Sequence, residues 1–469
     1  MNDKILIKII CLIGFFTWAW LLVQKYYCLG YYDWDFAFFS QAMWSLSHGS
    51  SHVSLFDINF FSNHANLFAL ILVPLYKIFP HPLTLLILKL LSFFIASYML
   101  YLLAKEKLGT LVAFIVLYLY WLYPPNIYGL VYEFDFENLA PAFIMLVFYF
   151  YSKDKWIPFL ISSIFLISIK ENMPLIVLAF GLHGLFTKSN KITWGLIPTA
   201  LGGLSFYVLA FIFVPLMGAH SLGQHPYSVH YPDLNATLLT HPIQSARHII
   251  TAEKLQWLVC LFGFLPLSLL SPGILFLVSP IIIQHFLSVG RQEHIIYYSY
   301  TLTIAPFIFL ALIYTLARIK NKFSRGKYYF MILLSITLSL IFLFEQKDII
   351  KNRYMSPAST MTYADAWQLL KMVPPQAPVA ATFRFLPELS QRPYVYSFHK
   401  TYDPAYQNKN ISYHLPENVH YALVDSHDDW LLSTLIRYNQ STRLNIKKFL
   451  IGGGWKAKYN RSGITLYER

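Results

Sequence analysis

The sequence predicts an α-helical polytopic membrane protein, with about eleven transmembrane helices and a small extracytoplasmic α/β domain at its C-terminus. Of its 469 residues, 56% are hydrophobic and only 13% are charged, whereas soluble globular chains carry about 25% charged residues. Apolar runs long enough to cross a bilayer alternate with short clusters of lysine and arginine, which is typical of multi-pass membrane proteins.

The net charge of +13 does not indicate a nucleic-acid-binding protein, because the basic residues form no single patch along the sequence. They lie between apolar runs, where the residues that set membrane topology are found. The three cysteines, Cys11, Cys28 and Cys260, show neither a disulfide framework nor a metal-binding spacing. We therefore expect the membrane, and no nucleic acid, among the partners of this chain.

The first apolar segment spans residues 5–23 and predicts the orientation of the whole chain. Lys4 and Lys8 mark its starting side as cytoplasmic, and the absence of a small-residue cleavage site favours a retained signal anchor in the inner (plasma) membrane. A long outer loop, residues 24–82, follows. Within it, residues 66–79 are apolar but short and contain proline, so we predict an interfacial or re-entrant helix there.

Ten further apolar runs complete the predicted transmembrane domain, residues 1–344. The orientation of each run is assigned from lysines and arginines alone. The acidic motifs nevertheless all fall on the outer side, which is a partly independent check of that assignment. The runs are residues 83–104, 111–123, 139–151, 156–169, 173–186, 192–216, 255–270, 274–289, 300–316 and 328–344.

Residues 345–469 are richer in proline and polar residues, and no run in them can span a bilayer. One helical stretch, residues 363–372, alternates with short apolar strands. The predicted strands are residues 379–383, 394–398, 421–424 and 464–467. This pattern is typical of a small α/β domain, which we place on the outer face.

Asp33 and Asp35 flank Trp34 just after the first span. Acidic residues beside a membrane are costly and are therefore candidates for function. Asp35 is our candidate general base, with Asp33 as a partner that holds substrate or a divalent ion. The alternative is a pair of solvated loop aspartates. The sequence requires no cofactor and leaves the use of a divalent metal open.

A second acidic motif contains Glu133, Asp135 and Glu137, which alternate with two phenylalanines. In an extended chain the three carboxylates would share one face. Like charges so close require a cation, a cationic substrate group or a shared proton. We predict substrate binding here, with an acidic loop rim as the alternative.

Further candidates for substrate binding lie on other predicted outer loops: His64, Lys170, Glu171, Arg291 and His294. A lysine at the end of an apolar span either faces a cavity and binds an anion such as phosphate, or anchors the helix at the interface. A lone loop histidine is either a substrate ligand or a structural residue. The arginine can hold a phosphate or can be part of an interfacial belt.

Five histidines lie in one predicted outer loop, but their irregular spacing does not match a zinc site. We therefore predict no metal ligands among them. They are His220, His225, His230, His241 and His248.

Taken in order, several of these motifs resemble a prokaryotic family of predicted multi-pass membrane proteins of unknown function, regarded as a distant branch of the GT-C glycosyltransferases. The resemblance covers about residues 30–345 and, more loosely, the outer domain. The motifs that carry it are Asp35 with Gln41-Ala42-Met43-Trp44, Asn63-His64, Pro82-Leu83-Thr84, Glu133–Glu137 with Leu139, and Lys170-Glu171.

The chain departs from the family pattern at four places. Ala37 stands where the family has glycine, Asn63 and Glu133 stand where it has aspartate, and Asp135 stands where it commonly has histidine. The last change alters which group can carry a proton in the acidic motif. Glu137 and the Lys170-Glu171 pair match the pattern directly.

The resemblance implies a GT-C-like fold and an integral-membrane glycosyltransferase that inverts the anomeric carbon. It further implies a polyprenyl-phosphate-linked sugar as donor, a glycan, lipid or protein as acceptor, and a catalytic aspartate in the first outer loop, for which Asp35 is best placed. The donor phosphate would need a cation such as Lys170 or Arg291. The alternatives are a lipid-linked substrate transporter or flippase, and a non-catalytic membrane binding protein.

Overall fold

The computed structural model describes residues 3–218, 250–355, 363–399, 407–408, 411–412, 415–426, 428 and 453–469. Helices dominate the described chain up to residue 355, and most strands follow it. The predicted histidine-rich loop, residues 220–248, lies outside the described residues.

The elements before residue 219 are mostly helical. In chain order they are α1 (Asp3–Tyr27), α2 (Phe38–Ser47), β1 (His52–Val53), β2 (Ile58–Asn59), α3 (Phe60–Asn63), α4 (Phe68–Ile78), α5 (Leu83–Leu108), α6 (Thr110–Leu122), α7 (Pro124–Val131), α8 (Ala140–Ser152), α9 (Trp156–Ile167), α10 (Pro174–Thr187), α11 (Ile197–Val208) and α12 (Val214–Leu216).

The elements after residue 249 begin with helices and end with strands. They are α13 (Ala252–Phe262), α14 (Pro272–Leu275), α15 (Ser279–Leu287), α16 (Ala305–Lys322), α17 (Arg325–Met355), α18 (Tyr363–Met372), β3 (Val379–Ala381), α19 (Leu386–Leu389), β4 (Val395–Ser397), β5 (Gln407–Asn408), β6 (Ile411–Ser412), β7 (Tyr421–Asp425), β8 (Lys456–Arg461) and β9 (Ile464–Glu468).

Five described segments are long and apolar enough to cross a membrane, or six if the bent pair α6–α7 forms one span. The other apolar helices, among them α4, α9 and α10, are shorter than the roughly 20 residues of an upright span. The chain is therefore a mostly helical polytopic protein, and the number eleven stays a prediction. The five segments are Ile5–Tyr27, Leu83–Leu108, Ile192–Leu216, Ser299–Lys322 and Arg325–Lys351.

Helices α10 and α11 pack closely because their contact surface contains glycines. A Cβ on Gly184 would lie 1.9 Å from the Trp194 carbonyl oxygen, and one on Gly202 would lie 2.4 Å from the Leu178 nitrogen. Only a residue without a Cβ permits this approach. The close contact fixes the position of α10, whose N-terminus is preceded by Lys170 and Glu171.

The C-terminal part contains a five-stranded mixed sheet of order β4-β3-β7-β9-β8. Strand β3 pairs in parallel with β4 and β7, whereas β9 pairs antiparallel with β7 and β8. Helix α18 spans the predicted residues 363–372, and four strands lie where strands are predicted; β8 is not predicted. Helix α17 continues through the predicted boundary at residue 345, and the division into two domains stays a prediction.

The C-terminal part packs on the segment that follows α1. The Gln41 amide donates to the Ser54 hydroxyl at 2.7 Å, and this hydroxyl donates to the Val395 carbonyl at 3.0 Å. The Tyr26 hydroxyl bonds to the Glu388 carboxylate nearby. Buried side chains of both parts belong to one continuous hydrophobic core, so the two parts are not packed independently.

Candidate active site

The two acidic motifs meet in space. The Glu133 carboxylate accepts hydrogen bonds from the backbone N–H groups of Tyr32 at 2.9 Å, Asp35 at 3.1 Å and Phe36 at 2.9 Å. Residues 33–37 form a wide helical turn that leads into α2, and Glu133 satisfies N–H groups that such a helix start leaves unpaired. Glu133 is therefore a positioning residue for Asp35.

Lys89, which was not among the predicted site residues, stabilises the backbone around Glu133. Lys89 is fully buried in α5, and its ammonium group donates to the carbonyls of Gly129, Tyr132 and Glu133 at 3.1, 2.7 and 3.1 Å. These carbonyls follow the last turn of α7, where a cation is favourable. A lysine inside an apolar run is the signal that could have identified it.

Asp35 lines a cavity that we call the carboxylate cavity. Its pKa is raised well above the usual range, first by burial and then by the charges of Glu133 and Asp135; Lys170 and the Tyr132 hydroxyl oppose this shift only partly. Asp35 therefore keeps its proton to a higher pH than an ordinary aspartate. The side chain of Asp33 lies outside the described set, so its assigned role stays a prediction.

The carboxylate cavity has a volume of about 100 Å³ and brings together residues from loops far apart in sequence. His64 and Lys170 line it, and so do Asn63, Asn172, Gln284, His285 and Tyr300. It contains five carboxylates: Asp35, Asp135, Glu137, Glu171 and Glu293.

Lys170 is the cation at the centre of these acids. Its ammonium group lies 2.7 Å from Glu137 Oε2 and 3.4 Å from Asp135 Oδ2, and the residue is only 6% exposed. Burial lowers the pKa of Lys170, but Asp135, Glu137 and Glu171 together raise it well above the ordinary value. Lys170 is therefore charged, and its longer contact, to Asp135, is the weaker of the two.

Of the three carboxylates predicted to bind substrate, Asp135 and Glu137 line the cavity, whereas Glu133 does not. The reason is a tight 3₁₀ turn, Phe136–Leu139, capped by the Asp135 side chain, which accepts from the Glu137 N–H at 2.9 Å. The turn ends the extended conformation in which all three carboxylates would share a face. Glu133 points instead to the backbone around Asp35.

His64 and Glu171 form a second interacting pair on the cavity wall. The Glu171 carboxylate contacts His64 Nδ1 at 2.8 Å and accepts from the Ala65 N–H at 3.0 Å. Burial raises the pKa of Glu171, but His64 and Lys170 outweigh it and lower the pKa to about 2. Glu171 is thus a permanent anion that orients the His64 ring.

His285 and Glu293 form a similar pair on another part of the cavity wall. These two residues were not among the predicted site residues. His285 Nδ1 contacts Glu293 Oε2 at 2.9 Å, and the Ser288 hydroxyl donates to Glu293 Oε1 at 2.6 Å. His285 is 2% exposed, and its Nε2 has no hydrogen-bond partner among the described residues. A histidine within an apolar run was the available signal.

Arg291 and His294 do not line the carboxylate cavity. Both line a neighbouring cavity of about 320 Å³, together with Glu253 and Trp257. The Arg291 side chain is 82% exposed and lies 3.7 Å from Glu253, and His294 Nε2 bonds to the His285 carbonyl at 2.6 Å. Their predicted phosphate contact would therefore require a ligand that extends between two cavities.

Within the described ranges, no three His, Cys, Asp or Glu side chains are grouped as metal ligands would be. The carboxylates of the cavity instead contact Lys170 and the rings of His64 and His285, and Asp35 keeps its proton to a raised pKa. The cavity can therefore take up a proton at Asp35 and present fixed hydrogen-bond acceptors to a polar ligand.

A family described as "Predicted membrane protein (DUF2079)" matches residues 25–466. This chain belongs to the DUF2079 family. No curated protein matches its sequence. The DUF2079 chain is therefore a membrane protein, as its apolar helices also indicate.

The fold of this DUF2079 protein is similar to that of ArnT from Cupriavidus metallidurans. The crystal structure of ArnT bound to undecaprenyl phosphate aligns with a TM-score of 0.56 at 11% sequence identity, covering 99% of this chain and 97% of that chain. The apo structure of ArnT aligns with a TM-score of 0.52 at 11% identity, covering 97% and 98%. At this level of sequence identity, the likeness shows that the two proteins share a fold.

Proposed function

We propose that this protein is an inverting integral-membrane glycosyltransferase that acts at the extracytoplasmic face of the inner membrane. The donor is a sugar linked to polyprenyl phosphate, and the acceptor is a hydroxyl group of a glycan, lipid or protein. The acceptor oxygen attacks the anomeric carbon, the bond from that carbon to the phosphate oxygen breaks, and polyprenyl phosphate leaves. Asp35 takes the hydroxyl proton.

The position of Asp35 is the observation that carries this proposal. The aspartate lies in the carboxylate cavity, and its backbone is fixed by Glu133. A raised pKa makes its carboxylate a stronger base once it is ionised. Inverting transfer needs one such base and no covalent intermediate, which agrees with a single preorganised aspartate.

Lys170 is the residue that we assign to the donor phosphate. It is the only lysine or arginine among the described residues that line the carboxylate cavity. A phosphate oxygen would replace its longer contact to Asp135, while the 2.7 Å contact to Glu137 keeps the ammonium group in place. The bound undecaprenyl phosphate of ArnT, a protein of the same fold, supports a polyprenyl phosphate as the lipid.

We assign His285 to the substrate as well. Glu293 orients its ring through Nδ1, so Nε2 is left to accept from a sugar hydroxyl, or to donate to a phosphate oxygen when the ring is charged. Asp135, Glu137 and Glu171 would accept hydrogen bonds from sugar hydroxyls or compensate an amino group on the sugar. His64, held by Glu171, completes the wall.

The test uses the full-length protein in nanodiscs, with a panel of undecaprenyl-phosphate-linked hexoses, pentoses and amino sugars. We expect release of undecaprenyl phosphate from at least one donor in the presence of a membrane lipid extract as acceptor source. The released phosphate is measured by liquid chromatography and mass spectrometry. Asp35→Asn should retain donor binding and lose release.

Two results would contradict the proposal. Donor movement between leaflets without release would identify a flippase, and tight binding of every donor without release or movement would identify a binding protein. Equal release by the wild type and Asp35→Asn would remove Asp35 as the base while leaving the glycosyltransferase assignment in place.

A further inference from the structure

We propose that a second cavity, at the other end of the helices that form the active site, binds the phosphate group of an anionic membrane lipid. This cavity has a volume of about 480 Å³, compared with about 100 Å³ for the carboxylate cavity. Its basic side chains are those of His183, Lys188 and Arg318, and we call it the basic cavity.

The two cavities are separated along the same helices. Helices α8 and α10 begin just after residues of the carboxylate cavity such as Glu137 and Glu171. Their last turns contribute Ser152 and His183 to the basic cavity. Thirteen or fourteen residues of α-helix span about 20 Å. One ligand headgroup cannot contact both cavities, so the basic cavity is a separate site.

The charges of the basic cavity are held in place but are not neutralised inside it. The described residues that line it include no aspartate or glutamate. Arg318 Nη2 donates to the Leu270 carbonyl and to the Ser271 hydroxyl, the latter at 2.9 Å. These partners are uncharged, and no bond from the other two guanidinium nitrogens to a described residue is present. Those nitrogens can bind phosphate oxygens.

Lys188 supplies the second cation. Its ammonium group donates to the Tyr151 carbonyl at 2.7 Å and to Asp154 at 2.6 Å, which uses two of its three donors. Asp154 is 66% exposed, whereas the Lys188 side chain is 16% exposed. The ammonium group also lies 4.4 Å from the centroid of the Tyr151 ring and 5.1 Å from that of Trp194. Because Asp154 is exposed to solvent, it compensates the charge of Lys188 only partly, and this charge can attract a phosphate in the cavity.

The remaining lining favours a lipid over a soluble anion. Phe148, Ile274, Leu277 and Tyr314 provide an apolar wall beside the cations. This combination suits a phosphate that continues into acyl chains. The predicted topology also places this cavity on the cytoplasmic side, where the basic clusters lie. Basic pockets between helices on that side bind anionic lipid headgroups.

The experiment measures lipid binding to the full-length protein by native mass spectrometry, with phosphatidylglycerol as the anionic probe and phosphatidylcholine as the neutral one. We expect the double variant Lys188→Gln/Arg318→Gln to bind phosphatidylglycerol at least tenfold more weakly than the wild type. The matched control, Lys191→Gln/Lys322→Gln, removes two exposed cations that do not line the cavity and should bind within twofold of the wild type.

Inorganic phosphate distinguishes a lipid from a soluble ligand. We expect it to compete with phosphatidylglycerol without matching the rise in unfolding temperature that the lipid gives. Equal loss of binding in both double variants, equal binding of both lipids by the wild type, or stabilisation by inorganic phosphate alone would overturn the proposal. If the double variant fails to fold, the comparison of the two lipids on the wild type still decides. Because the readout is binding, this result is independent of any transferase activity.

Discussion

Helices α8, α10 and α16 have opposite electrostatic surroundings at their two ends. Among the residues that the structure describes, one end adjoins five carboxylates, and the other adjoins Lys188, Arg318 and His183 with no acid in the cavity wall. The difference lies in how the charges are compensated. At the carboxylate cavity, buried acids contact the buried Lys170 and histidine rings, whereas at the basic cavity Lys188 and Arg318 contact neutral oxygens or an exposed aspartate.

This contrast separates two roles that both use charge near a membrane. Paired, buried charges fix geometry and shift proton affinities, which is what a reaction needs. Cations whose charge is only partly compensated attract an anion and hold it, which is what lipid binding needs. The following variants test whether the two ends differ in this way.

The largest expected effect is at Asp35. Asp35→Asn should lower turnover by roughly 10²–10⁴-fold, because the general base is removed while the shape of the side chain is kept. Phosphatidylglycerol binding at the basic cavity should not change. The measurement is release of undecaprenyl phosphate. Asp57→Asn is the control: Asp57 lies in the same loop, is exposed, pairs with His52 and does not line the carboxylate cavity, so this variant should keep full activity.

The second comparison is between two lysines. Lys170→Met should lower the free energy of unfolding by about 3–5 kcal/mol, because Glu137 would be left buried without a cation. Lys188→Met should cost only about 0–1 kcal/mol, because its partner Asp154 is mostly exposed. Reversible unfolding in mixed detergent micelles measures both values.

Adding Glu137→Gln to Lys170→Met should restore part of the lost stability, since the uncompensated carboxylate is removed. Equal costs for the two lysine variants would show that the two ends do not differ in charge compensation.

The third expectation concerns acid stability. Glu171 has a pKa of about 2 in the folded protein against an ordinary 4.5. A lowered pKa stabilises the fold above pH 4.5, and this contribution is lost as pH falls from 4.5 towards 2. The unfolding temperature of the wild type should therefore fall in that window. Glu171→Gln should show a smaller fall there, and an identical pH profile would contradict the assigned ion pair with His64.

The smallest expected effect is a shift in the pH dependence of turnover. Asp35 must be ionised to accept a proton, so activity rises as pH passes its raised pKa. The Glu133 charge contributes to that raised pKa, and Glu133→Gln should move the rising limb to lower pH. A limb at the wild-type position would show that the Glu133 charge does not contribute to the pKa of Asp35. Some loss of maximal rate is also expected, because a backbone contact to the turn is weakened.

Much of the candidate site could be anticipated because charge near apolar runs is rare and therefore visible in sequence. Asp35, His64, Asp135, Glu137, Lys170 and Glu171 line one cavity, although they come from three separate loops. Alternation alone could not separate Glu133 from its two neighbours, because the turn at Phe136 depends on local capping by Asp135. His285 and Lys89 were hidden inside runs interpreted only as spans.

The secondary structure shows the same limit. Helix α18 and the strands β3, β4, β7 and β9 follow from local composition and alternation. The number of membrane crossings cannot be predicted from composition and alternation. Helices of 11–14 residues such as α4 and α10 are too short to span the bilayer upright. Their placement depends on neighbours such as α11, which approaches α10 through glycines.

The contacts of Gln41 with Ser54 and of Ser54 with Val395 join residues made early in translation to residues made about 340 positions later. The segment that contains Asp35 and α2 can therefore be covered by the sheet only after most of the chain has been synthesised. A polypeptide that stops before the sheet would present that segment to quality-control proteases. Synthesis beyond Val395 is thus a checkpoint for the folding of this protein.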